Sequence, residues 1–229
     1  MHVHEAIKGR QSIREFDSSR DISDDIIENL IGVAGRAPSD SNIQPWKVWV
    51  VRGEAKEAIS NTCYERHMSG DLGEREYNYY PVNWREPYIN RRRATGWGLY
   101  GVLGIKREDK AEMQLQHGRN YMFFNAPVGI FFTIDRDMEL GSWIDCGMFI
   151  QSMMLAARAE GLETCSQAAF CNYYDTVMNL LGAPEDQMLI CGMSIGYAVT
   201  ESVVNTFRTE REPVSTYTTF LTKPNNVRT

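Results

Sequence analysis

Residues 37–46 read Ala-Pro-Ser-Asp-Ser-Asn-Ile-Gln-Pro-Trp. Proline, serine, aspartate and asparagine favour turns for local reasons, so this stretch predicts a polar loop. Earlier in the chain, residues 9–16 read Gly-Arg-Gln-Ser-Ile-Arg-Glu-Phe. Both stretches are predicted at helix-to-loop junctions, where backbone N–H groups lack helical partners. Together their arginine, hydroxyl and amide groups suit a polyhydroxylated phosphate ligand, because arginine offers a planar fork to phosphate oxygens.

The order and spacing of these motifs resemble the nitroreductase family of FMN-dependent oxidoreductases, in which an R-x-S-x-R motif and a P-S-x-x-N-x-Q-P-W motif flank the flavin. The resemblance implies that the first motif contacts the flavin phosphate, ribityl chain or pyrimidine edge through Arg10, Gln11, Ser12 and Arg14. The alternative interpretation is a solvated helix end whose arginines pair with Glu15 or Asp17.

The second motif carries an implication about assembly. In the family this loop reaches the flavin of the other subunit, so the resemblance implies a homodimer with the cofactor at its interface. Cofactor contacts are then expected from Pro38, Ser39, Asn42 and Gln44. The alternative is an ordinary turn, although a turn does not require Asn42, Gln44 and Trp46 at these relative places.

Two later stretches complete the resemblance. Residues 204–213 resemble a late basic motif of the family that binds the flavin phosphate, with Arg211 as the closest match and Arg208 as its neighbour. A surface loop with glutamate partners is the alternative. After a predicted buried helix, a turn is expected to present a backbone N–H to flavin N5, and its residues are Ser166, Gln167, Ala168 and Ala169. A plain core strand is the alternative there.

Residues 64–110 are rich in aromatic and arginine side chains and show no sustained period, so we interpret them as an insertion covering the active site of a single domain, 1–229. The expected aromatic and cationic rim over the flavin consists of Trp84, Tyr88, Arg91, Trp97 and Tyr100. These side chains are equally compatible with simple packing of the insertion.

Composition excludes several classes of protein. The net charge of −6 gives little support to a nucleic-acid surface, and no run of about 18 apolar residues predicts a membrane span. The five cysteines form no C-x-x-C pair, which argues against a disulfide framework and a zinc site and favours a cytoplasmic protein. The histidines show no ligand spacing, so no metal is expected.

Periodicity and turn residues predict a mixed order of helices and strands. Helices are expected over 24–36 with Ser23 as a hydroxyl cap, over Trp143–Glu160 as a buried helix ended by Gly161, and over Tyr173–Leu181. Strands or extended segments are expected at Lys47–Val51, Val128–Ile134, Thr164–Ala168, Met188–Ile195 and Val214–Leu221. This order favours an α+β fold, and the resemblance implies a central, mostly antiparallel sheet flanked by helices in an intertwined homodimer.

The resemblance implies a function as well. FMN would be the cofactor, NAD(P)H the reductant, and a nitroaromatic compound or a quinone the acceptor, in a ping-pong reaction. No catalytic side chain is expected, because the flavin carries the chemistry. The alternatives are a related enzyme for reductive dehalogenation or flavin fragmentation, or a flavin-binding module without turnover. Glu76 and Tyr80 weakly resemble a zwitterion-binding lid of dehalogenating relatives, but no matching lysine follows.

Overall fold

Four antiparallel strands form the central sheet in a computed structural model that describes residues 1–223. In sheet order they are β1 (Lys47–Val51), β2 (Val128–Asp135), β4 (Gln187–Gly196) and β3 (Glu163–Gln167). The apolar run of β2 is buried from Val128 through Ile134 because this strand is central and covered on both faces. The α+β class and the antiparallel central sheet expected from the sequence are confirmed.

Helices cover both faces of the sheet. They are α1 (Val3–Gly9), α2 (Asp24–Ala34), α3 (Gly53–Met68), α4 (Tyr88–Val102), α5 (Lys110–Gly118), α6 (Leu140–Ala159), α7 (Tyr174–Leu181) and α8 (Val214–Tyr217). One apolar core lies between the sheet and helices α2 and α6. A second core on the opposite face contains side chains of α3 and α7 and the aromatic residues Tyr121, Phe123 and Phe170.

Most predicted helices and strands are present, with shifted ends. Helix α7 ends at Gly182, whose φ of 63° is the left-handed conformation that glycine adopts without strain. Helix α2 begins after Ser23, but the Ser23 hydroxyl makes no capping hydrogen bond, so the predicted hydroxyl cap is wrong. The start of α2 is instead held by Asp24, which lies 3.0 Å from the guanidinium of Arg52.

Helix α6 differs from its prediction in two respects. It begins at Leu140, three residues before the expected start, and one stripe of it is not buried. Leu140 is 80% exposed and Ile144, one turn later, is 66% exposed. Phe149 and Met153 face the core of this chain, whereas the exposed stripe faces outward. The helix therefore has one apolar side in the core and a second apolar side on the surface of the chain.

The segment interpreted as an insertion begins inside α3, which continues to Met68. Its first half is anchored to the core, because the Tyr77 hydroxyl donates to the Ile190 carbonyl at 2.5 Å. Ile190 lies where the β2–β4 register shifts, so its carbonyl has a position outside the regular ladder. The second half, α4, has no buried residue and packs through Gly98, where a Cβ would lie 2.6 Å from the Phe207 ring.

The extended segment predicted over Val214–Leu221 is wrong. Residues Val214–Tyr217 form the short helix α8, which follows Pro213, and Phe220 and Leu221 are exposed. Strand preference reflects how well a side chain packs on an existing sheet, and within residues 1–223 no strand pairs with this segment. The strand preference of this segment is therefore not realised in the fold.

Candidate functional site

An arginine-rich cavity of ≈ 430 Å³ lies between the end of α1 and the chain after Phe207. Its lining residues are Ile7, Lys8, Arg10, Gln11, Ser12, Arg14, Arg208, Thr209 and Arg211. The fold thus brings together the early and late motifs from opposite ends of the chain. Among these lining residues five are cationic and none is acidic, so the cavity has the charge required for an anion.

The positive charge of this cavity is incompletely neutralised. Burial lowers the pKa of Arg10 below its usual value, and the positive charge of Arg211 lowers it further. Behind Arg10, Arg158 forms an ion pair with Glu163. Burial raises the pKa of Glu163, while the charges of Arg158, Arg10 and Arg208 act against this rise. The Glu163 carboxylate therefore lies near several guanidinium groups and balances only part of their charge. An anion in the cavity would supply the missing negative charge.

Asn205 connects the early motif, residues 9–16, to the late motif, residues 204–213. It was not among the cofactor contacts predicted from the sequence. It lies in a short 3₁₀ turn, Val203–Thr206, and is 7% exposed. Its side-chain oxygen accepts the backbone N–H of Arg14 at 2.8 Å, and its side-chain nitrogen donates to the carbonyls of Glu15 and Val199, each at 2.9 Å. The only sequence signal for this residue is an amide next to the apolar pair Val203-Val204, close to the late arginines.

Two buried acceptor oxygens near the cavity lack hydrogen-bond donors. The Gln11 side-chain nitrogen donates to the Asn205 carbonyl at 3.1 Å, but the buried Gln11 Oε1 has no partner. The buried Thr164 hydroxyl oxygen has none either, although the Thr164 carbonyl accepts the Ile13 N–H at 3.2 Å. Buried polar atoms are normally paired, so a ligand with hydroxyl groups would complete this site.

The loop over residues 38–46 is held by its own polar groups. The Ser39 hydroxyl oxygen accepts the Gln44 N–H at 3.0 Å, and the Gln44 side-chain nitrogen donates to the Asn42 carbonyl at 3.1 Å. Three non-glycine residues have positive φ, namely Ser41, Asn42 and Gln44. Such conformations cost free energy and persist only where the surroundings enforce them, so this loop has a fixed shape.

The same loop is docked on the first half of α6. The Asp40 N–H donates to the buried Asp145 carboxylate at 3.4 Å, and the Trp46 ring stacks on Phe149 with centroids 4.8 Å apart. The arginine cavity lies near the other end of the helix, since a Cβ at Gly9 would be 2.7 Å from the Arg158 guanidinium. Asp145 and Arg158 are thirteen positions apart, which is about 20 Å along an α-helix. Within one chain, Asp40 and Trp46 are therefore docked on the first half of α6, whereas Pro38 at the start of the loop lies beside Ala156 and Ala159 in the second half.

The turn after β3 contributes backbone and little side chain. The buried Gln167 side chain donates to the Asn120 carbonyl at 2.6 Å and accepts the Ser194 hydroxyl at 2.7 Å, so both its ends are used within the protein. Ala168 and Ala169 begin a 3₁₀ turn and are half-buried, whereas Ser166 is exposed on the edge strand. Only backbone groups of residues 167–169 remain for a ligand.

The aromatic and cationic residues of the insertion do not line one surface. Arg91 lines a second cavity of ≈ 1080 Å³, which shares Arg208, Thr209 and Arg211 with the first. The Arg91 guanidinium lies 5.7 Å from the Tyr88 ring. Trp97 and Tyr100 pair with each other and are not among the residues that line this cavity, and Trp84 lies under Arg92 before the helix. Glu76 is bound to Arg136 at 2.6 Å and is unavailable to an amino-acid substrate.

Residues 1–223 contain neither a candidate metal cluster nor a helix suited to span a membrane. No group of three or more His, Cys, Asp or Glu side chains comes together there in a way that could hold a metal ion. Within the same residues, no helix combines the length and the apolar character needed to cross a bilayer.

Comparison with known proteins agrees with this geometry. The chain is similar to a 4-nitrobenzoate reductase of Nocardioides sp. (strain LMS-CY), with 37% identity over 94% of this chain and 88% of the relative. It is similar to a nitrobenzene nitroreductase of Ectopseudomonas oleovorans, with 34% identity over 96% of each chain.

A solved structure, the FMN and NADPH-dependent nitroreductase NfnB from Sphigopyxis sp. strain HMH, superposes with a TM-score of 0.93. It shares 35% identity, and the match covers 96% of this chain and 99% of that one. The model of the Nitroreductase family matches residues 7–197. With the fold, the arginine cavity and these relatives in agreement, the chain belongs to the Nitroreductase family.

Proposed function

We propose that this chain is an FMN-dependent oxidoreductase that uses NAD(P)H to reduce nitroaromatic compounds. The observation that carries the proposal is the arginine cavity, in which Arg10, Arg14, Arg208 and Arg211 line one space without an acidic neighbour in the lining. The names of the similar proteins supply the reaction: nitrobenzoate and nitrobenzene reduction, with FMN and NADPH in the solved neighbour.

The residues of the cavity fit FMN chemically. A terminal phosphate monoester needs cationic donors, which the arginines supply as charge-assisted hydrogen bonds. A ribityl chain carries hydroxyl donors, and Gln11 Oε1 and the Thr164 hydroxyl oxygen are the buried acceptors without partners. Ser12 follows Gln11 in the sequence, and its backbone forms an isolated β-bridge with Thr164. Ser12 therefore lies between these two residues. FMN would thus match the excess positive charge, and Gln11, the one of these two residues that lines the cavity, is the acceptor its hydroxyl groups would meet.

The residues have separate roles in holding this group. Arg10, Arg208 and Arg211 would bind the phosphate, while Gln11, Ser12 and Arg14 would orient the sugar-like chain and the ring edge. The backbone of Ala168 and Ala169 would approach the ring, since small side chains permit close contact. Bound FMN supplies the redox chemistry, namely hydride acceptance from NAD(P)H and transfer to a nitro group or a quinone. No side chain is assigned as a general acid or base.

We propose that the site is completed in a homodimer. Pro38, Ser39, Asn42 and Gln44 are expected at the cofactor, yet none of them lines the arginine cavity of the same chain, and Asp40 in their loop contacts α6 thirteen positions before Arg158. A second copy can supply the loop. The exposed stripe of Leu140 and Ile144 lies at the start of α6, next to Asp145, and offers an apolar surface for this contact.

The acceptor is proposed to bind beside the insertion. Of these residues Arg91 lines the second cavity, where it is paired with Glu212, and Tyr88, Trp84, Trp97 and Tyr100 would complete the rim only if the insertion or a second chain brings them over the ring. An aromatic and cationic rim suits an electron-poor ring with nitro or carboxylate oxygens. We expect ping-pong kinetics, in which oxidised coenzyme leaves before the acceptor binds.

All five cysteines are free and buried, which supports a cytoplasmic location.

The test is purification of the chain followed by flavin identification and assay. We expect a yellow protein that releases FMN on denaturation, oxidises NADH or NADPH when 4-nitrobenzoate, nitrobenzene or a quinone is added, and gives parallel double-reciprocal plots. The matched control carries Arg10→Ala and Arg211→Ala and should be colourless and inactive. A colourless wild-type chain that fails to bind added FMN would falsify the proposal.

A further inference from the structure

We propose that Asn205 is a positioning residue that fixes the late arginines, Arg208 and Arg211, against Arg10, so that all three reach one phosphate group. The inference rests on the proposed binding of FMN, and it deepens that proposal by assigning the phosphate affinity to a residue that does not touch the phosphate. Asn205 lies three positions before Arg208 and six before Arg211, and it is not among the residues that line the cavity.

The carboxamide of Asn205 is fully used by backbone groups. A carboxamide has two N–H donors and one carbonyl acceptor. In Asn205 the donors bind the carbonyls of Glu15 and Val199, and the oxygen accepts the N–H of Arg14. The three hydrogen bonds join the early motif to the chain that leads to the late motif, over a sequence separation that no local turn can bridge.

Further contacts extend this connection on both sides. The backbone carbonyl of Asn205 accepts the Gln11 side chain at 3.1 Å, and the Val199 N–H donates to the Glu15 carbonyl at 3.1 Å. Beyond Asn205, the only direct side-chain contact from Arg208 to the early motif in the described chain is a long one of 3.5 Å to the Gly9 carbonyl. Arg211 contacts only Thr209 and Glu210 by hydrogen bonds within the described residues.

The late arginines therefore depend on Asn205 for their position. Arg208 and Arg211 are exposed, and the chain from 207 to 213 has no regular secondary structure. Without the carboxamide, the segment would keep its charges but lose its fixed distance from Arg10. Phosphate binding requires several donors at defined places, so their separation would reduce affinity for a phosphate and spare contacts to the rest of the ligand.

The experiment compares FMN with riboflavin, which lacks the phosphate, on the flavin-free protein by fluorescence titration. In Asn205→Ala we expect FMN affinity to fall at least about tenfold and riboflavin affinity to fall by a clearly smaller factor, which reflects only the lost acceptor of the Arg14 N–H. A residue that only maintains the fold would weaken both flavins alike. In an Arg208→Ala and Arg211→Ala background, Asn205→Ala should cause little further loss of FMN affinity, because the groups it positions are gone.

The matched control is Thr133→Val, which removes a buried hydroxyl bonded to Trp49 and Gln187. Thr133 lies in the second half of β2 and pairs with Leu189. Val128, at the other end of the strand, pairs with Ile195. This variant should lower thermal stability and leave the ratio of FMN to riboflavin affinity unchanged. If Asn205→Ala does not fold, Asn205→Ser is measured by the same criteria, since its hydroxyl can still bond one carbonyl.

The possible outcomes distinguish this inference from the proposed function. A wild-type chain that does not bind FMN overturns both. If the wild type binds FMN, equal losses for FMN and riboflavin in the Asn205 variant overturn the positioning role alone, and so does an unchanged FMN affinity. A selective loss for FMN that disappears in the arginine-free background supports it.

Discussion

Asp145 and Arg158 lie on the same helix, thirteen positions apart, and each holds a different part of the proposed cofactor site. The Asp145 carboxylate accepts the N–H of Asp40 in the polar loop, whereas the Arg158 guanidinium lies against Gly9 beside the arginine cavity. Helix α6 thus places the contact of Asp40 about 20 Å from Arg158, measured along the helix axis. The proposed homodimer would bring the loop of a second chain to the arginine cavity.

The late arginines should differ in importance. Arg211→Ala should weaken FMN binding by about 1.5–3 kcal/mol, because a charge-assisted hydrogen bond to phosphate is lost. Arg208→Ala should cost less, since Arg208 is the neighbouring candidate. Flavin titration of both variants measures the order. Negligible losses in both would identify residues 204–213 as a surface loop without a role in binding.

A charge on the exposed stripe of α6 should separate the chains. Ile144→Glu places a carboxylate on a side chain that is 66% exposed in one chain and proposed to be buried in the dimer. Burial of an unpaired charge costs several kcal/mol, so the dimer should dissociate and the flavin should be lost with it. Sedimentation and flavin absorbance measure both effects.

The control for this prediction is Leu180→Glu. Leu180 is 42% exposed on α7, which packs on the opposite face of the sheet from α6. This variant should remain dimeric and yellow. A dimeric, FMN-loaded Ile144→Glu protein would exclude this stripe as the subunit contact.

Gly73 and Gly70 provide a matched pair for stability. Both have positive φ, but a Cβ at Gly73 would lie 1.9 Å from the Asn172 carbonyl oxygen, while a Cβ at Gly70 would meet nothing within 4 Å. Gly70→Ala should therefore cost about 1 kcal/mol of backbone strain. Gly73→Ala adds a steric conflict with fixed backbone and should cost at least about 3 kcal/mol, measured by urea unfolding. Equal losses would mean that the segment after α3 moves away from Asn172 freely.

Stability should fall in mild acid because of His117. Packing of the ring beside His67 and Tyr121 lowers the pKa of His117 below its usual value of 6.5, and the charge of His67 lowers it further; because the residue is still exposed to solvent, its effect on stability is small. Below pH 6.5 the unfolded chain binds a proton at this residue and the folded chain does not, so stability decreases as the pH falls from 6.5 through the lowered pKa.

The variant His117→Phe keeps a ring beside His67 and Tyr121 and removes the titrating group. It should flatten the pH dependence of the unfolding free energy between about pH 7 and 5.5. The control His4→Gln, at an exposed position near the N-terminus, should keep the wild-type slope. An unchanged slope in His117→Phe would contradict the assignment.

The sequence predicts the central elements well because their signals are local. The apolar runs of β2 and β4 are long enough to require burial, and Gly182 ends α7 where a left-handed residue is needed. The arginine cavity was also predictable, but only through the resemblance. Composition alone cannot indicate that Arg10 and Arg211, at opposite ends of the chain, line one space.

Other features depend on tertiary structure and could not be read from the sequence. The strand predicted over Val214–Leu221 failed because no strand in the described chain lies beside it, and strand preference has meaning only on a sheet. Asn205 was missed because its role comes from three backbone partners far away in sequence. The exposed stripe of α6 was missed because an apolar helix does not show which of its sides faces its own core.

Subunit complementation tests the shared site most directly. One variant carries Ser39→Ala and Asn42→Ala, the other carries Arg10→Ala and Arg211→Ala, and each has its own affinity tag so that mixed dimers can be isolated after subunit exchange. Each parent dimer should be flavin-poor, while the mixed dimer should bind FMN at one of its two sites with wild-type-like affinity, because one site then combines an intact loop with intact arginines. A verified mixed dimer that binds no FMN, or a monomer that carries FMN in sedimentation experiments, would contradict a site built from two chains.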